Sequence, residues 1–282
     1  MTVVDAHQHL WNPATADYPW LTPDLVPLDR VFTQADVADQ LRAAGVDRTV
    51  LVQAADNVAD TENMLREAAA DPTIAGVVAW IPLARPDDAA ALLDRWAGGP
   101  IVGVRHMVHR DPDPKWLLRA DVADGLALLA ERGLTFDVCA ETPELLAQVP
   151  ALAAAHPTLT LVVDHLGKPP IRSRGWEPWA GLLRDAAAAP TVVAKLSGLN
   201  TAAEDGWTAA SFQPYVDHAL EVFGPARLMY GGDWPFALLA ADSYAHVHAA
   251  LRGTVTALDP DARDAVLGGT AERIYRLTPE GH

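Results

Sequence analysis

The sequence is poor in cysteine and in positive charge. Cys139 is the single cysteine among 282 residues, so neither an intrachain disulfide nor a cysteine-based zinc site can form. Lysine and arginine total 21 against 37 aspartates and glutamates, and a net charge of −16 without any basic run argues against a nucleic-acid partner. The chain also lacks a signal-type leader and any apolar stretch near the ~20 residues of a membrane span. We therefore expect a cytoplasmic protein that contacts neither a membrane nor nucleic acid.

Short β-branched runs alternate with segments rich in alanine and leucine along the whole chain. We predict eight strands, within residues 2–9, 47–54, 74–83, 102–107, 134–140, 160–167, 192–199 and 227–235. Strands separated by helices form parallel sheets with right-handed crossovers, and eight strands can close into a barrel. The competing fold, an open doubly wound sheet, usually has a glycine-rich turn after its first strand, and here that turn reads HQHLWNP. The prediction is an α/β fold, a single-domain (β/α)8 TIM barrel over residues 1–282.

Helix signals support this alternation. Thr33 can cap the start and Gly45 the end of a helix, and Gly133 can end another. Thr142 precedes Pro143, which is favoured at the first position of a helix.

The proline-rich segment 10–32 is too long for an ordinary connection between a strand and a helix. It is either a disordered insert or a lid, and its aromatic residues Trp11, Tyr18 and Trp20 favour the lid.

Two histidines close the first predicted strand. Because side chains alternate along a strand, Asp5, His7 and His9 should share one side. Two neutral imidazoles placed in this way can hold a metal ion or a polarised carbonyl oxygen. Spacing alone leaves open the alternative of two partly exposed loop histidines.

A second His-x-His pair, His246 and His248, lies in a helical segment. Residues two apart on a helix face different directions, so we expect this pair at the surface and not at a metal ion.

Ionisable residues close most of the other predicted strands, and in a parallel barrel such residues converge at one mouth. They are Arg105 and His106 on strand four, Asp164 and His165 on strand six, Lys195 and Ser197 on strand seven, and Asp233 on strand eight. Alternation allows only one of Asp164 and His165 to point inward, and we expect His165, since Leu161 and Val163 share its face.

Asp233, in the sequence YGGDWP, has two interpretations. It is a helix cap or turn residue before Pro235, or it is a general base or metal ligand near the imidazoles.

Together these residues resemble a known set. The His-x-His at strand one, the histidine at strand six and the aspartate at strand eight resemble the amidohydrolase superfamily. The phrases DAHQHLW, GVRH, VVDHLGKPP, AKLSGL and YGGDWP are similar to its lactonase-rich branch, which includes sugar-lactone hydrolases. The resemblance runs from Val4 to about Leu277.

The chain departs from the superfamily pattern at strand five. Many members have a histidine there, whereas this strand reads LTFDVCA, with Asp137 and Cys139. A two-metal centre is therefore not expected. The resemblance leaves His7, His9, His165 and Asp233 as ligands for one divalent ion, zinc by preference, or as a site that needs no metal.

The resemblance implies hydrolysis of a lactone ring, such as an L-fucono- or L-rhamnono-lactone. Asp233 would take a proton from the attacking water, while His165, His7 and His9 orient the carbonyl. Arg105 and Lys195 are candidates to stabilise the oxyanion or bind the substrate. Candidate substrate contacts are Trp11, Trp80, His106 and Trp234, and Trp207 is a further candidate apolar wall.

The sequence leaves two alternatives to a lactonase open. One is a metal-dependent decarboxylase of the same superfamily, and the other is a catalytically inactive barrel that binds a ligand. The expected partner is a small lactone, and a homo-oligomer is compatible with the sequence.

Overall fold

A computed structural model describes residues 2–277 of the chain. Its strands are β1 Val4–Gln8, β2 Arg48–Val52, β3 Ile74–Ala79, β4 Ile101–His106, β5 Thr135–Val138, β6 Leu161–Val163, β7 Val192–Leu196 and β8 Leu228–Tyr230. Each strand overlaps one of the eight predicted segments.

Helices follow the strands in alternation. They are α1 Ala38–Ala44, α2 Val58–Ala70, α3 Pro86–Arg95, α4 Ala120–Arg132, α5 Pro143–Leu146, α6 Val149–Ala155, α7 Trp179–Ala187, α8 Ala209–Phe223, α9 Tyr244–Thr254, α10 Pro260–Asp264 and α11 Thr270–Ile274. The caps predicted at Gly45, Gly133 and Thr142 are confirmed, whereas Thr33 caps a separate 3₁₀ turn, Gln34–Asp36, and α1 begins only at Ala38. Gly45 and Gly133 end α1 and α4 in the left-handed conformation, and the Thr142 side chain accepts the Leu145 N–H.

The strands form one parallel sheet in the order β1 to β8, each paired with the next. The two edges of this sheet, at β1 and β8, also meet. The His9 N–H donates to the Trp234 carbonyl at 2.6 Å, and the Asp233 N–H donates to the His7 carbonyl at 2.8 Å. The sheet therefore curls into a nearly closed barrel, which confirms the TIM-barrel prediction and excludes the open doubly wound sheet. Within residues 2–277, no helix has the length and apolar character needed to cross a bilayer.

Two apolar layers show which side chains point into the barrel. Alternate residues of the strands, among them Val50, Val52, Val162 and Val193, pack together in the interior. The residues between them, such as Leu161 and Val163, pack outward against the helices. This division fills the lower barrel with small apolar side chains and leaves the upper mouth for polar groups.

The first strand does not keep a strict alternation. Val4 and Ala6 belong to the interior layer, whereas Asp5 accepts the Tyr244 O–H of α9 at 2.9 Å and the Gly232 N–H at 2.8 Å. The register with β2 shifts between Asp5 and Gln8. The expectation that Asp5 shares a side with His7 and His9 is therefore wrong, since the irregularity reverses the faces between residues 5 and 7.

The segment 10–32 packs against the barrel and contributes Trp20 to the lining of a cavity. Trp11 and Phe32 exchange two backbone hydrogen bonds that bring its ends together. Between them, the Tyr18 O–H donates to Asp60 Oδ1 at 2.8 Å, and the Trp20 indole N–H donates to the Ala54 carbonyl at 2.6 Å. Burial of Tyr18 and Trp20 attaches the segment to the barrel and argues against a disordered insert.

The attachment at Asp60 leads to a prediction about pH. Burial raises the pKa of Asp60 from 3.8 to about 6, against the lowering effect of the Ala54 N–H and Tyr18 O–H. The folded state therefore holds this proton more tightly than the unfolded state, and the contribution of Asp60 to stability falls as pH rises from about 4 to 6. Asparagine cannot ionise, so the stability of Asp60→Asn relative to wild type should rise across this window by about 3 kcal/mol. Urea unfolding at pH 4 to 7 measures this change, and a difference that stays constant with pH would contradict it.

Candidate active site

Two histidine side chains meet at the centre of the barrel mouth. The Nε2 atoms of His7 and His9 lie 3.1 Å apart, and Asp233 Oδ1 lies 3.8 Å from the first and 3.6 Å from the second. Nδ1 of His9 is 2.7 Å from the Val52 carbonyl, which can only accept, so Nδ1 carries the proton and the Nε2 lone pair faces Asp233. The interpretation of His7 and His9 as exposed loop residues is wrong, since both are buried.

Asp233 is a buried carboxylate held among imidazoles. Burial alone would raise its pKa, but His165, His9 and His7 outweigh that effect and hold the pKa below its ordinary value. The carboxylate is therefore ionised at neutral pH and can accept a proton when a substrate supplies one.

His165 lies on an unusual turn of backbone after β6. His165, Leu166, Gly167 and Lys168 all have positive φ, between +53° and +68°, and the Lys168 N–H closes the turn by donating to the His165 carbonyl at 3.0 Å. This left-handed turn swings the imidazole into the mouth, where its Nδ1 lies 2.8 Å from Ser197 Oγ.

Asp164 also points inward, which corrects the expectation that only one of the pair could. Leu161 and Val163 belong to the outer apolar layer, so regular alternation carries Asp164 inside, and the left-handed turn then brings His165 in as well. Asp164 Oδ1 lies 3.3 Å from Nδ1 of His7.

Gly198 closes one side of this cluster. Its φ is +60°, and a Cβ there would lie 2.6 Å from Nδ1 of His165 and 2.8 Å from Asp233 Oδ2. The close approach of the imidazole and the carboxylate therefore depends on glycine at this position.

A fully buried charge network supports His7 from below. Lys195 Nζ lies 2.6 Å from Asp137 Oδ2, 3.2 Å from Asp164 Oδ1 and 3.1 Å from Nδ1 of His7. Arg105 binds Asp164 at 3.0 Å and Gln53 at 3.0 Å. Of the two predicted cations, Arg105 reaches the cavity, and Lys195 is fully buried beneath His7.

The predicted substrate contacts lie elsewhere. Trp11 and Trp234 pack in the apolar cluster formed with Tyr18, Trp20 and Phe32 of the segment 10–32. The Trp80 indole N–H donates to Nδ1 of His106 at 3.3 Å. The His106 ring stacks on Trp116. None of these four candidates lines the cavity that contains Asp233 and His165, so their role as substrate contacts stays a prediction. Trp207 lines a separate surface groove.

A cavity of about 250 Å³ opens above the histidines, a size suited to a small cyclic molecule. Trp20, Phe236, Met107 and Leu239 form its apolar wall. A second, polar wall was not predicted from the sequence, and its residues are His109, Glu141, Lys168 and Thr201. Glu141 and Lys168 each come one residue after a predicted strand segment, 134–140 and 160–167, and that position was the available signal.

The residues at the bottom of the cavity fit a metal ion. Tetrahedral zinc with bonds of about 2.0–2.1 Å to nitrogen separates two nitrogen ligands by about 3.3 Å, close to the 3.1 Å between the two Nε2 atoms. The hydrogen bond from His9 to Val52 also fixes the tautomer that a metal ion requires. His7, His9 and Asp233 form one candidate ligand group, while His165 falls in a separate group with His7 and Asp164.

The other histidine pair is placed differently from its prediction. His246 is exposed, but His248 is buried, with Nδ1 at 2.9 Å from the Tyr230 hydroxyl. The expectation of a surface position is wrong for His248, because the inner face of α9 packs on the barrel.

The structure is a TIM barrel with paired histidines at the end of β1 and an aspartate after β8. These are the features in which the sequence resembles the amidohydrolase superfamily. The sequence matches the amidohydrolase family over residues 4–277, and the chain belongs to that family. It is 35% identical to a protein named L-fucono-1,5-lactonase from Burkholderia multivorans, with 97% of this chain and 96% of the relative covered. A relative of the same name from Burkholderia ambifaria is 34% identical, with 97% and 95% covered. A crystal structure of a Burkholderia multivorans amidohydrolase with bound Zn superposes with a TM-score of 0.91 at 33% identity, covering 99% of this chain and 100% of that chain.

Proposed function

We propose that the protein hydrolyses the ring ester of a small sugar lactone, with L-fucono-1,5-lactone as the first candidate. The observation that carries this proposal is Asp233, a buried carboxylate that stays ionised among three imidazoles at the bottom of a cavity of about 250 Å³. The names of the two Burkholderia relatives support the choice of substrate.

Asp233 is the proposed general base. It removes a proton from a water molecule whose oxygen bonds to the lactone carbonyl carbon. The ring C–O bond then breaks, and the ring oxygen leaves as a hydroxyl that takes the proton back from Asp233. One lactone and one water thus give one hydroxy acid, and the carboxylate is regenerated.

The imidazoles and Arg105 orient the carbonyl and face its developing negative charge. Arg105, His9 and His165 all line the cavity, so the guanidinium and these two imidazoles border the same space. Nη1 of Arg105 also lies 3.4 Å from Nε2 of His7, which is buried behind them. Charges already fixed in position stabilise an oxyanion without reorganising. Lys195 acts through His7, whose Nδ1 it contacts at 3.1 Å.

The two alternatives have less support. A decarboxylase was expected to carry a histidine on strand five, where this chain has Asp137, already bound by Lys195 at 2.6 Å. An inactive barrel would be expected to lack some of the ionisable residues at the strand ends. In this chain His9, His165 and Asp233 are all present and line one cavity.

The test is a lactone panel in which acid release is followed with a pH indicator. We expect the purified protein to open six-membered sugar lactones faster than five-membered ones and to release no CO₂ from aromatic carboxylic acids. If every lactone gives the uncatalysed rate, the proposal is wrong.

Metal removal is expected to reduce activity in part or not at all. A zinc ion held by His7, His9 and Asp233 would act as a Lewis acid on the carbonyl. A lactone is a reactive ester, however, and using Asp233 as a ligand would occupy the proposed base. Elemental analysis should find at most one ion per chain, with lactonase rates compared before and after exhaustive chelation. Two ions per chain, or complete loss of activity restored by zinc, would contradict this expectation.

We also propose the segment 10–32 as a cover for the bound substrate. Trp20, which this segment contributes to the apolar wall, is the contact that supports the proposal.

A further inference from the structure

Polar residues line two sides of the cavity, and the residues of the proposed mechanism lie on only one of them. In a ring of eight strands, β8 and β1 lie opposite β4 and β5. His9 and Asp233 follow β1 and β8, whereas His109 and Glu141 follow β4 and β5, and Lys168 follows β6. A small ring lying across the mouth with its carbonyl at Asp233 therefore presents its far edge to this second group.

Glu141 and Lys168 form a loose ion pair on that far wall. Lys168 Nζ lies 3.6 Å from Glu141 Oε1 and 3.5 Å from Thr201 Oγ1. Both contacts are longer than the 2.7–2.9 Å typical of charge-assisted hydrogen bonds. An ammonium with three donors and a carboxylate acceptor thus stand side by side with hydrogen-bonding capacity left over.

The groups around Glu141 and Lys168 leave the unused hydrogen-bonding capacity of this pair directed at the cavity. Nδ1 of His109 is buried and has no hydrogen-bond partner within residues 2–277. Burial lowers the pKa of Lys168, but Glu141 and Asp233 outweigh that effect and hold the pKa above its ordinary value, so the side chain is a charged ammonium at neutral pH. Both members of the pair are partly exposed, with side-chain accessibilities of 23% for Lys168 and 34% for Glu141.

We propose that Glu141 and Lys168 determine substrate specificity by binding two neighbouring hydroxyls on the ring edge opposite the lactone carbonyl. Each hydroxyl both donates and accepts, so a vicinal diol satisfies a carboxylate and an ammonium together. A carboxylate in place of the diol could pair with Lys168 but would be repelled by Glu141, 3.6 Å from that ammonium, whereas neutral hydroxyls satisfy both groups. The preferred substrate is therefore a neutral polyhydroxylated lactone. This inference rests on the proposed function for the position of the carbonyl.

The first test measures binding without catalysis. A δ-lactam with hydroxyls on the ring carbons β and γ to the carbonyl and unsubstituted δ-valerolactam are titrated into the protein by calorimetry. Hydrogen bonds to charged groups are worth enough that Lys168→Met and Glu141→Gln should each weaken the hydroxylated lactam about 10–100-fold. The preference over δ-valerolactam should fall by the same factor. An unchanged preference in both variants would overturn the proposal.

The second test measures the ratio of kcat/KM for a hydroxylated 1,5-lactone to that for δ-valerolactone. This ratio should fall about 10–100-fold in each variant. Equal losses on both lactones would instead indicate a structural or general catalytic role and overturn the proposal.

A matched pair provides the control. Arg174 and Glu204 form an exposed ion pair at 3.2 Å outside the cavity, and Arg174→Met and Glu204→Gln should keep the wild-type ratio. If the wild-type protein opens no hydroxylated lactone, the proposed function fails. The lactam titration still decides whether Glu141 and Lys168 bind the hydroxyls of the ring.

Discussion

Replacing Asp233 with asparagine is expected to lower turnover of the lactone about 10²–10⁴-fold, while the fold is retained. The amide has nearly the same shape but cannot accept a proton from water. Asp233 is the carboxylate whose pKa His165, His9 and His7 keep low against the effect of burial, so the loss should be similar throughout the neutral range. Steady-state rates of acid release measure the effect.

Binding and stability distinguish a lost base from a damaged site. Asp233→Asn should still bind a hydroxylated δ-lactam and should unfold at a urea concentration close to that of wild type. Asp242→Asn, a matched change at an exposed position nine residues further on, should keep full activity. If Asp233→Asn retains a rate near that of wild type, Asp233 is not the base.

Replacing Lys195 with methionine is expected to have the largest effect on stability. Lys195 is fully buried and contacts the carboxylates of Asp137 and Asp164, at 2.6 and 3.2 Å. Removing the charge leaves two buried carboxylates beside each other with Arg105 as the remaining cation. Breaking a buried pair in this way typically costs about 3–5 kcal/mol. Urea unfolding, extrapolated to water, measures the loss.

A double variant tests the electrostatic origin of this loss. Asp137→Asn combined with Lys195→Met removes one negative and one positive charge, so it should be more stable than Lys195→Met alone. If the double variant loses the sum of the two single effects, the loss comes from packing and not from the uncompensated charge.

The sequence was sufficient to predict the barrel and most of the cluster at its mouth. Most of the strands are β-branched runs, and the helices that follow several of them begin or end at recognisable cap residues such as Thr142, Gly45 and Gly133. His7, His9 and Asp233 could be placed together because the carboxyl ends of parallel strands meet at one mouth. The topology, and not the chemistry of any one motif, made that prediction possible.

Side-chain direction could not be predicted where the backbone leaves the regular strand. The irregularity in β1 reverses the faces between Asp5 and His7, and the positive φ of His165 reverses them after β6. Glu141 and Lys168 lie beyond strand ends, where period-two alternation no longer applies. Their approach to each other on one wall of the cavity depends on loop geometry that no local pattern in the sequence encodes.

The left-handed turn after β6 has a consequence for how this protein can change its substrate. One turn, closed by the hydrogen bond from the Lys168 N–H to the His165 carbonyl at 3.0 Å, carries both His165 and Lys168. Its Gly167 has no room for a side chain, because a Cβ there would lie 2.8 Å from Leu146. A point substitution at position 168 alters the far wall and leaves the imidazole in place. An insertion or deletion within residues 165–168 would displace both groups together. New specificities are thus accessible by exchanging side chains on this turn, whereas its length and handedness must be preserved in any evolved or engineered variant that still turns over.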